Sequence, residues 1–511
     1  MKEVKEILQL IKKGILTLSQ SDTVGEQGGY HVKINKLLDA LEAGDINSDE
    51  EGAQLLFPED KTGGKYRSLK SDLKTRLYSA VMNINSNQTK FTDYQRSYYQ
   101  CHKQWVVVKI LTGINANTSA VALANRLLKQ AEKHHFTLLC MDITSYLRIQ
   151  YGVRESNEKK SVQASAQFVQ FFDLYQAELL AEQYYTDLTI KLANNQAGKG
   201  EANDVAIRYS EAIEAKMRTH SSYKLQMYGC LVRLLRYSTM DDYPNALVIC
   251  SEALDYFKSL PYEANVPLQI FNYQILVCHI QMGQFKEAEA VAKDCISLFA
   301  EGSFNWFKYQ DLYFLLLLHT EEYEKAGALI KYMLNHPKLE FLPDNMKELW
   351  GLYEAYIYYL SLCGKVTPTF TKKFKLSKFI SDASILTKDK GGRNIAIIIV
   401  RLLILLREEK FSQILDEMET VHQYCYNYLR GNQTRRSFAL IKMLLAIPLA
   451  QFDPERIADK VSKHLKVLEE SKFNILNQTY EIEILPFEVL WQLAMEGLAE
   501  RKERLQKKKT P

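Results

Sequence analysis

The chain has 511 residues, of which 47% are hydrophobic and 25% are charged, values typical of a folded globular protein. Its 65 basic and 61 acidic residues give a net charge of +4, which excludes a polycation built to coat nucleic acid or anionic lipid. The 22 glycines and 11 prolines fall below the roughly 7% and 5% of average usage, so the composition favours helices.

The cysteines and the apolar runs indicate the cellular compartment in which the protein is expected. The eight cysteines are scattered, with no C-x-x-C pair, so we expect buried thiols in a reducing compartment. The N-terminus, MKEVKEILQLIKKGIL, lacks the pattern of a secretory signal. The most apolar run, residues 395–406, carries Arg401 and is shorter than the roughly 20 residues needed to cross a bilayer. These features predict a cytoplasmic protein without a membrane partner.

Residues 1–90 are predicted to form a small N-terminal helical domain. Its helices are expected at residues 2–15, 29–43, 48–56 and 65–84. The stretches between them are rich in glycine, which is typical of helix breaks. Ser48 precedes the acidic run DEEG, so it is a candidate N-cap with favourable negative charge in the first turn.

Residues 91–363 are predicted to be one helix after another, and three segments in this stretch align with each other. DDYPNALVICSEAL, GQFKEAEAVAKDCI and EEYEKAGALIKYML begin at residues 241, 283 and 321. In each segment an aromatic residue is followed three positions later by alanine, in the pairs Tyr243 and Ala246, Phe285 and Ala288, and Tyr323 and Ala326. A long apolar segment precedes every copy. Each unit is therefore predicted to be a helix, a tight turn and a second helix.

These segments resemble the tetratricopeptide repeat family over about residues 225–335. The second copy has Gly283 at the turn, Phe285 at the aromatic position, Ala288 at the close-packed alanine and Cys295 where a second small residue is expected. The resemblance implies an all-α fold, an α-solenoid of antiparallel helix pairs; a compact helical bundle is the alternative. Segments 94–200 and 395–500 keep the helical pairing, but we expect them to lack the signature alanine.

The resemblance also implies a binding surface, because the first helices of the family's pairs line a concave groove that binds peptides or partner helices. Carried over by position, the groove residues are Tyr228, Thr239, Tyr273, Gln281, Lys308, Asp311 and His319. The alternative for each is ordinary packing between helices or a solvated edge. We expect a protein or peptide partner, and the oligomeric state is left open.

The repeat pattern breaks at residues 364–394, where a proline, glycines and polar residues predict a basic linker or insertion. Phenylalanines alternate with lysines here, so the segment is a candidate for contact with an anionic partner. The lysines are Lys372, Lys373, Lys375 and Lys378. A solvated loop is the alternative.

C-terminal helical repeats are expected over residues 395–500. One helix is predicted to start at Pro454, with Asp453 as its N-cap. The last segment, RKERLQKKKTP at 501–511, is expected to be a frayed basic tail.

The N-terminal domain supplies a second class of function. Helices 48–56 and 65–84 could form a helix-turn-helix that reads DNA, although the break between them exceeds the usual 3 or 4 residues. The basic side chains that would contact phosphates are Lys65, Arg67, Lys70, Lys74 and Arg76. Asp60 and Asp72 oppose this interpretation, since they would face phosphates. Nucleic acid is thus the weaker partner class.

Catalytic motifs are not recognisable in the sequence, which lacks a phosphate loop, H-E-x-x-H and G-x-S-x-G. We expect no catalytic residue, metal or cofactor. The sequence predicts a non-enzymatic interaction scaffold or regulatory subunit, with a transcriptional regulator as the alternative. An enzyme whose site is assembled from distant residues is a third class.

Overall fold

The computed structural model is all-helical, with no strand among the residues that it describes. The described residues are 2–12, 29–46, 48–60, 62–88, 91–193, 199–367, 374–375, 379, 392–429, 434–470 and 482–507. The chain divides into two compact units, Met1–His134 and His135–Pro511. The first unit therefore includes a further helix pair after residue 90, beyond the boundary that the sequence indicated.

The first unit contains six helices within the described ranges. They are α1 (Lys2–Lys12), α2 (Gly29–Ala43), α3 (Asp49–Leu56), α4 (Gly64–Met82), α5 (Asp93–Gly113) and α6 (Asn117–Lys133). The first four have a core of their own that includes Leu8, Leu37 and Leu73. Ser48 is the predicted N-cap of α3: its Oγ accepts from the Glu51 N–H at 3.1 Å, and the Glu51 carboxylate accepts from the Ser48 N–H at 3.1 Å.

The second unit continues with helices that pack mainly on their neighbours in the chain. They are α7 (Thr137–Ile149), α8 (Glu158–Ala193), α9 (Lys199–Thr219), α10 (Tyr223–Thr239), α11 (Tyr243–Ser259), α12 (Asn265–Gln281), α13 (Phe285–Cys295), α14 (Phe304–His319), α15 (Tyr323–Leu334), α16 (Asp344–Leu362), α17 (Gly392–Arg407), α18 (Phe411–Tyr428), α19 (Arg435–Leu449), α20 (Pro454–Glu470) and α21 (Phe487–Lys507). A continuous apolar core joins side chains from Leu276 to Leu498.

Six turns between consecutive helices share one backbone conformation. One residue has a positive φ; the next has φ between −79° and −90° with ψ between 53° and 69°, and the residue after it begins a helix. The residues with positive φ are Asn115, His135, Asp241, Gly283, Glu321 and Glu409. The turn also satisfies a carbonyl at the end of the preceding helix, as when the Gln284 N–H donates to the His279 carbonyl oxygen at 2.9 Å.

A buried residue follows each of these turns, at the fourth position of the new helix. It is small in five cases: Ala120, Cys140, Ala246, Ala288 and Ala326 are each at most 1% exposed. Only a small side chain leaves room for the backbones of two packed helices to approach closely. Ala120 lies within residues 94–200, so the expectation that this segment lacks the alanine is wrong at this position. The sequence pattern does not reveal Ala120, because its helix starts with asparagine instead of an aromatic residue.

The apolar run at 395–406 lies within α17 and is buried in the core. Arg401, the one charged residue in this run, forms an ion pair with Glu417 of α18. Within the described parts of the chain, none of the helices combines the length and the apolar character that a bilayer crossing requires.

One C-terminal helix begins at the predicted residue, and the last helix extends into the expected tail. The helix α20 starts at Pro454, and Asp453 Oδ1 accepts from the Glu455 N–H at 3.3 Å. The expected frayed tail is helical through Lys507. Its cations pair with acids of other turns: Arg504 lies 2.5 Å from Glu409, and Lys502 lies 3.1 Å from Asp453.

Candidate partner-binding surface

Tyr228, a predicted groove residue, lies in a patch of half-buried tyrosines on α8, α9 and α10. The tyrosine patch consists of Tyr184, Tyr185, Tyr209 and Tyr228. The Tyr184 and Tyr209 rings stack with centroids 3.9 Å apart, and the Tyr185 and Tyr228 rings lie 5.7 Å apart. Tyrosine offers wide apolar contact with a polar tip, so this surface suits recognition of another chain.

Charged side chains fix the rings of the tyrosine patch. The Tyr209 hydroxyl donates to Asp187 Oδ2 at 2.8 Å, which raises the pKa of Tyr209. The Lys224 ammonium lies 5.9 Å from the centroid of the Tyr228 ring and 2.5 Å from Glu182. The hydrogen bond to Asp187 orders the Tyr209 ring, and Lys224 lies beside the Tyr228 ring.

Thr239 and Gln281, two other predicted groove residues, lie at the C-terminal ends of α10 and α12. The Thr239 hydroxyl lies 3.3 Å from Asn203 Oδ1 on α9 and 2.9 Å from the Arg236 carbonyl oxygen. It therefore joins two helices and does not belong to the tyrosine patch. Gln281 is half-buried.

Tyr273, Lys308 and Asp311 lie close enough to interact electrostatically, with Asp311 buried and the other two half-buried. Asp311 is 7% exposed, and its carboxylate accepts a hydrogen bond from the hydroxyl of the fully buried Tyr353. Burial raises the pKa of Asp311, and Lys308 opposes that rise. Burial also raises the pKa of Tyr273, and the Asp311 carboxylate adds to the rise.

Asp311 is therefore buried in this structure, and its part in a partner groove stays a prediction. Of the 16 residues of α14, 11 are buried, including Gln310 and Asp311 on what would be its polar face. Neighbouring helices cover α14 on nearly all sides: Tyr353 of α16 lies on Phe314 with ring centroids 4.6 Å apart. The sequence position of Asp311 shows which helix carries it, but not what covers that helix.

His319 contacts the chain itself instead of facing an open groove. Its imidazole lies against the backbone of Glu483 and Ile484, and burial lowers its pKa to about 4 despite the hydrogen-bonding carbonyl groups there. It also stacks with Phe285, with ring centroids 6.4 Å apart. His319 is therefore half-buried against a C-terminal part of the same chain, and its contact with a partner stays a prediction.

That part is a non-helical stretch, Ile482–Pro486, which we call the buried segment. Ile482 and Glu483 are each 6% exposed, and Ile484 and Leu485 are fully buried. The segment precedes α21 directly. Sequence reasoning missed it, although the proline of the run EIEILPF signals that no helix continues through this stretch.

Arg436 of α19 anchors the buried segment through Glu483. Its guanidinium donates to both carboxylate oxygens, from Nε at 2.9 Å and from Nη2 at 2.8 Å. Nη1 donates to the Leu468 carbonyl oxygen of α20 at 2.7 Å, and Nη2 also reaches Glu488 at 2.9 Å. Burial raises the pKa of Glu483, and the hydrogen bonds from Arg436 oppose that rise.

The buried segment thus touches helices from several pairs. His319 belongs to α14 and Arg436 to α19. Tyr356 of α16 also lies within electrostatic reach, since the Glu483 carboxylate adds to the rise in its pKa that burial causes. Three helices, α14, α16 and α19, therefore contribute to the surroundings of one non-helical stretch of five residues.

The structure describes one of the four lysines that the sequence analysis singles out in the basic insertion. Lys372, Lys373 and Lys378 lie outside the described residues. Lys375 is exposed, and the adjacent Phe374 packs against the core of the second unit. Contact of these lysines with an anionic partner stays a prediction.

Some basic side chains of the suggested DNA-reading helix form ion pairs within the first unit. Lys65 and Arg67 are exposed, whereas Lys70, Lys74 and Arg76 are half-buried. Two ion pairs link α4 to its neighbours, Lys70 with Asp49 at 2.7 Å and Lys74 with Glu3. This neutralisation does not favour phosphate contact.

The described residues give little support for a nucleophilic cysteine or a metal site. Burial raises the pKa of the Cys101 and Cys278 thiols to about 12, and that of Cys230, Cys295 and Cys425 to about 11. Such thiols are not ionised near neutral pH. No group of three or more His, Cys, Asp or Glu residues in the described ranges could hold a metal ion.

A cleft of about 750 Å³ lies where α21 passes the turn between α17 and α18. Its walls carry charges of both signs that already pair, such as Arg407 with Glu500 and Arg504 with Glu409. The cleft therefore lacks the convergent unpaired groups of a small-molecule site.

Comparison of the chain with models of protein families, with curated proteins and with solved structures finds no match in any of the three.

Proposed function

We propose that the chain is a non-enzymatic interaction protein, a scaffold or regulatory subunit, whose helix pairs form a tetratricopeptide-like α-solenoid. In this proposal the first helices of the pairs bind an extended segment of a partner protein. The observation that carries it is the tyrosine patch, in which Tyr228 of the first helix α10 lies half-buried beside Lys224.

The recurring turn supports the solenoid part of the proposal. Helix pairs joined by the same turn, and packed through a small residue at the same position, can stack by repeating one contact. The eight free cysteines support a reducing compartment such as the cytoplasm.

The accessible part of the partner surface is, in this proposal, the tyrosine patch. Its rings are half-buried and Lys224 stands beside Tyr228, whereas Asp311 lies in the core and His319 against the buried segment. Aromatic anchors next to a charge are typical of the residues that dominate protein interfaces.

Peptide selection on the full-length chain tests the proposal. Peptides enriched from a phage-displayed random library should bind the protein with Tyr228→Ala about tenfold more weakly, because truncation of an aromatic anchor removes its apolar contact. Fluorescence anisotropy with the synthetic peptides measures the affinities.

Tyr426→Ala is the matched control, since Tyr426 is 58% exposed on α18, the second helix of its pair. It should leave the affinity unchanged. The proposal fails if no peptide is enriched, or if the two substitutions weaken binding equally.

A further inference from the structure

The exposed face of the long helix α8 is poor in charge. Between residues 162 and 190, 13 side chains are exposed, and Asp173 is the one charged residue among them. By contrast, seven of the nine exposed residues of α20 whose side chains the structure describes are charged. Exposed positions are usually polar or charged, and depletion of charge is typical of the centre of a protein interface. The exposed face of α8 is therefore suited to contact with another protein surface.

Apolar side chains recur on this face with the spacing of a coiled coil. Six residues follow one another in alternating steps of three and four positions, and we call them the α8 stripe. They are Val162, Ser165, Val169, Phe172, Gln176 and Leu179. The four apolar members are each between 43% and 62% exposed. A period of 3.5 residues keeps such a stripe on the side where two helices wind around each other.

We propose that the α8 stripe is a dimer interface, which a second copy of the chain covers with its own α8 in antiparallel orientation. The two-fold axis passes between residues 170 and 171. Val162 then lies opposite Leu179 of the second copy, Ser165 opposite Gln176, and Val169 opposite Phe172. Apolar members therefore face apolar members and polar members face polar ones, which is the self-complementarity that a two-fold interface requires. This interface goes beyond the proposed function, which does not depend on a dimer.

Charge favours a second copy as the occupant. Because the α8 stripe has no charged member, two copies meet without repulsion between like charges. A partner with a charged surface would lose its hydration here and find no opposite charge on the stripe. The neutral stripe therefore matches itself better than it matches a charged surface.

The antiparallel orientation follows from the residues at the ends and at the centre. A parallel pair would bring together the exposed Lys159 and Lys160 of both copies, whereas the antiparallel pair separates them. A parallel pair would also set Phe172 against Phe172. The antiparallel pair sets this large ring against the smaller Val169, so that the side chains interdigitate.

The length of the contact sets the strength of the dimer. In this register the two helices overlap over residues 158–183, which is about 38 Å at 1.5 Å per residue, and a helix with its side chains is about 10–12 Å wide. Such a strip belongs to the small interfaces, below about 1,200 Å² in total, that assemble reversibly. We therefore expect a dimer that dissociates at micromolar concentrations.

Sedimentation equilibrium of the full-length protein at concentrations from about 1 to 100 µM tests the proposal. The wild-type protein should show a reversible monomer–dimer equilibrium. Val169→Glu should weaken dimerisation at least about thirtyfold, because each copy would bury a carboxylate without a partner. Val248→Glu is the matched control, since Val248 on α11 is 52% exposed and Val169 is 54% exposed. The control should leave the equilibrium unchanged.

A mixture of two variants tests the register. Val169→Glu and Phe172→Lys should each be monomeric alone, with the helix content of the wild type by circular dichroism. Mixed in equal amounts, they should form a heterodimer, because the two introduced charges lie opposite each other and are of opposite sign. The proposal is overturned if the wild-type protein stays monomeric throughout, if Val169→Glu and Val248→Glu have equal effects, or if the mixed variants do not associate. Loss of helix in either variant would also overturn it, since the residue would then be needed within the monomer.

Discussion

The turn before α13 shows what a single residue contributes to this fold. Gly283 has a φ of +70°, and a side chain at this position would meet no atom within 4 Å. The equivalent turns use Asp241 and Glu321 at φ of 57° and 61°. Residues other than glycine enter this region at a cost of roughly 1–2 kcal/mol, so the surrounding helix packing must hold the turn in place.

Gly283→Ala should therefore destabilise the protein by about 1 kcal/mol, from backbone strain alone. Gly351→Ala is the matched control, since Gly351 lies inside α16 with open space around it and an ordinary φ. It should stabilise by about 1 kcal/mol, because alanine favours the helix. Urea unfolding monitored by circular dichroism measures both, and shifts of the midpoint in the same direction would contradict the assignment.

Glu178 is a buried carboxylate that links three helices. It is 3% exposed on α8, and it accepts hydrogen bonds from Thr137 at the start of α7 at 2.5 Å and from Ser222 before α10 at 2.6 Å. Burial raises the pKa of Glu178, although the two hydroxyls and Lys224 oppose the rise, and Glu182 adds to it.

This raised pKa predicts the sign of a pH effect. Above the unfolded value of about 4.3, the unfolded chain releases the proton of this carboxyl before the folded chain does. The group therefore costs the folded state stability as the pH rises from about 4.3 through the folded pKa. Glu178→Gln cannot ionise, so its stability relative to wild type should increase as the pH rises from about 4.3 through the raised pKa of Glu178. A melting-temperature difference that stays constant with pH would contradict this account.

At the scale of the helices, close approach depends on the small residue after each turn. Ala288 is fully buried in α13, and it occupies the position that Ala246 and Ala326 occupy in their helices. A larger side chain there would push apart two packed helices, whereas the exposed Ala290 on the same helix has no such constraint.

Ala288→Leu should destabilise the protein by about 1–3 kcal/mol through overpacking. Ala290→Leu should change the unfolding free energy by less than about 0.5 kcal/mol, because surface substitutions away from packed features are usually nearly neutral. Thermal and urea unfolding measure the difference. Equal effects of the two substitutions would show that Ala288 does not mark a close contact.

The helix pairs could be predicted from the sequence because they depend on local signals. The aromatic residue, the turn and the alanine lie within a few positions of one another. Ser48 and Asp453 are N-cap residues directly before their helices. The contact of Glu483 with Arg436 joins residues 47 apart in the chain, and no local pattern specifies it. For the same reason, the burial of Asp311 by α16 could not be read from α14 alone.

At the scale of the whole molecule, the features on which the proposed function depends lie in the second of the two compact units. The second unit carries the recurring turns from Asp241 to Glu409, the tyrosine patch and the buried segment. Of the predicted groove residues, Tyr228 lies in the tyrosine patch and His319 contacts the buried segment. In the proposed function, the first helices of the pairs bind a partner segment at the tyrosine patch.

Site-specific photo-crosslinking tests this central claim most directly. The photoreactive residue benzoylphenylalanine replaces either Tyr228 on a first helix or Tyr426 on a second helix of the full-length chain, and a library-selected peptide is added. The account predicts that the peptide is crosslinked at position 228 and not at position 426, as measured by mass spectrometry. Crosslinking at position 426 with none at position 228 would contradict it.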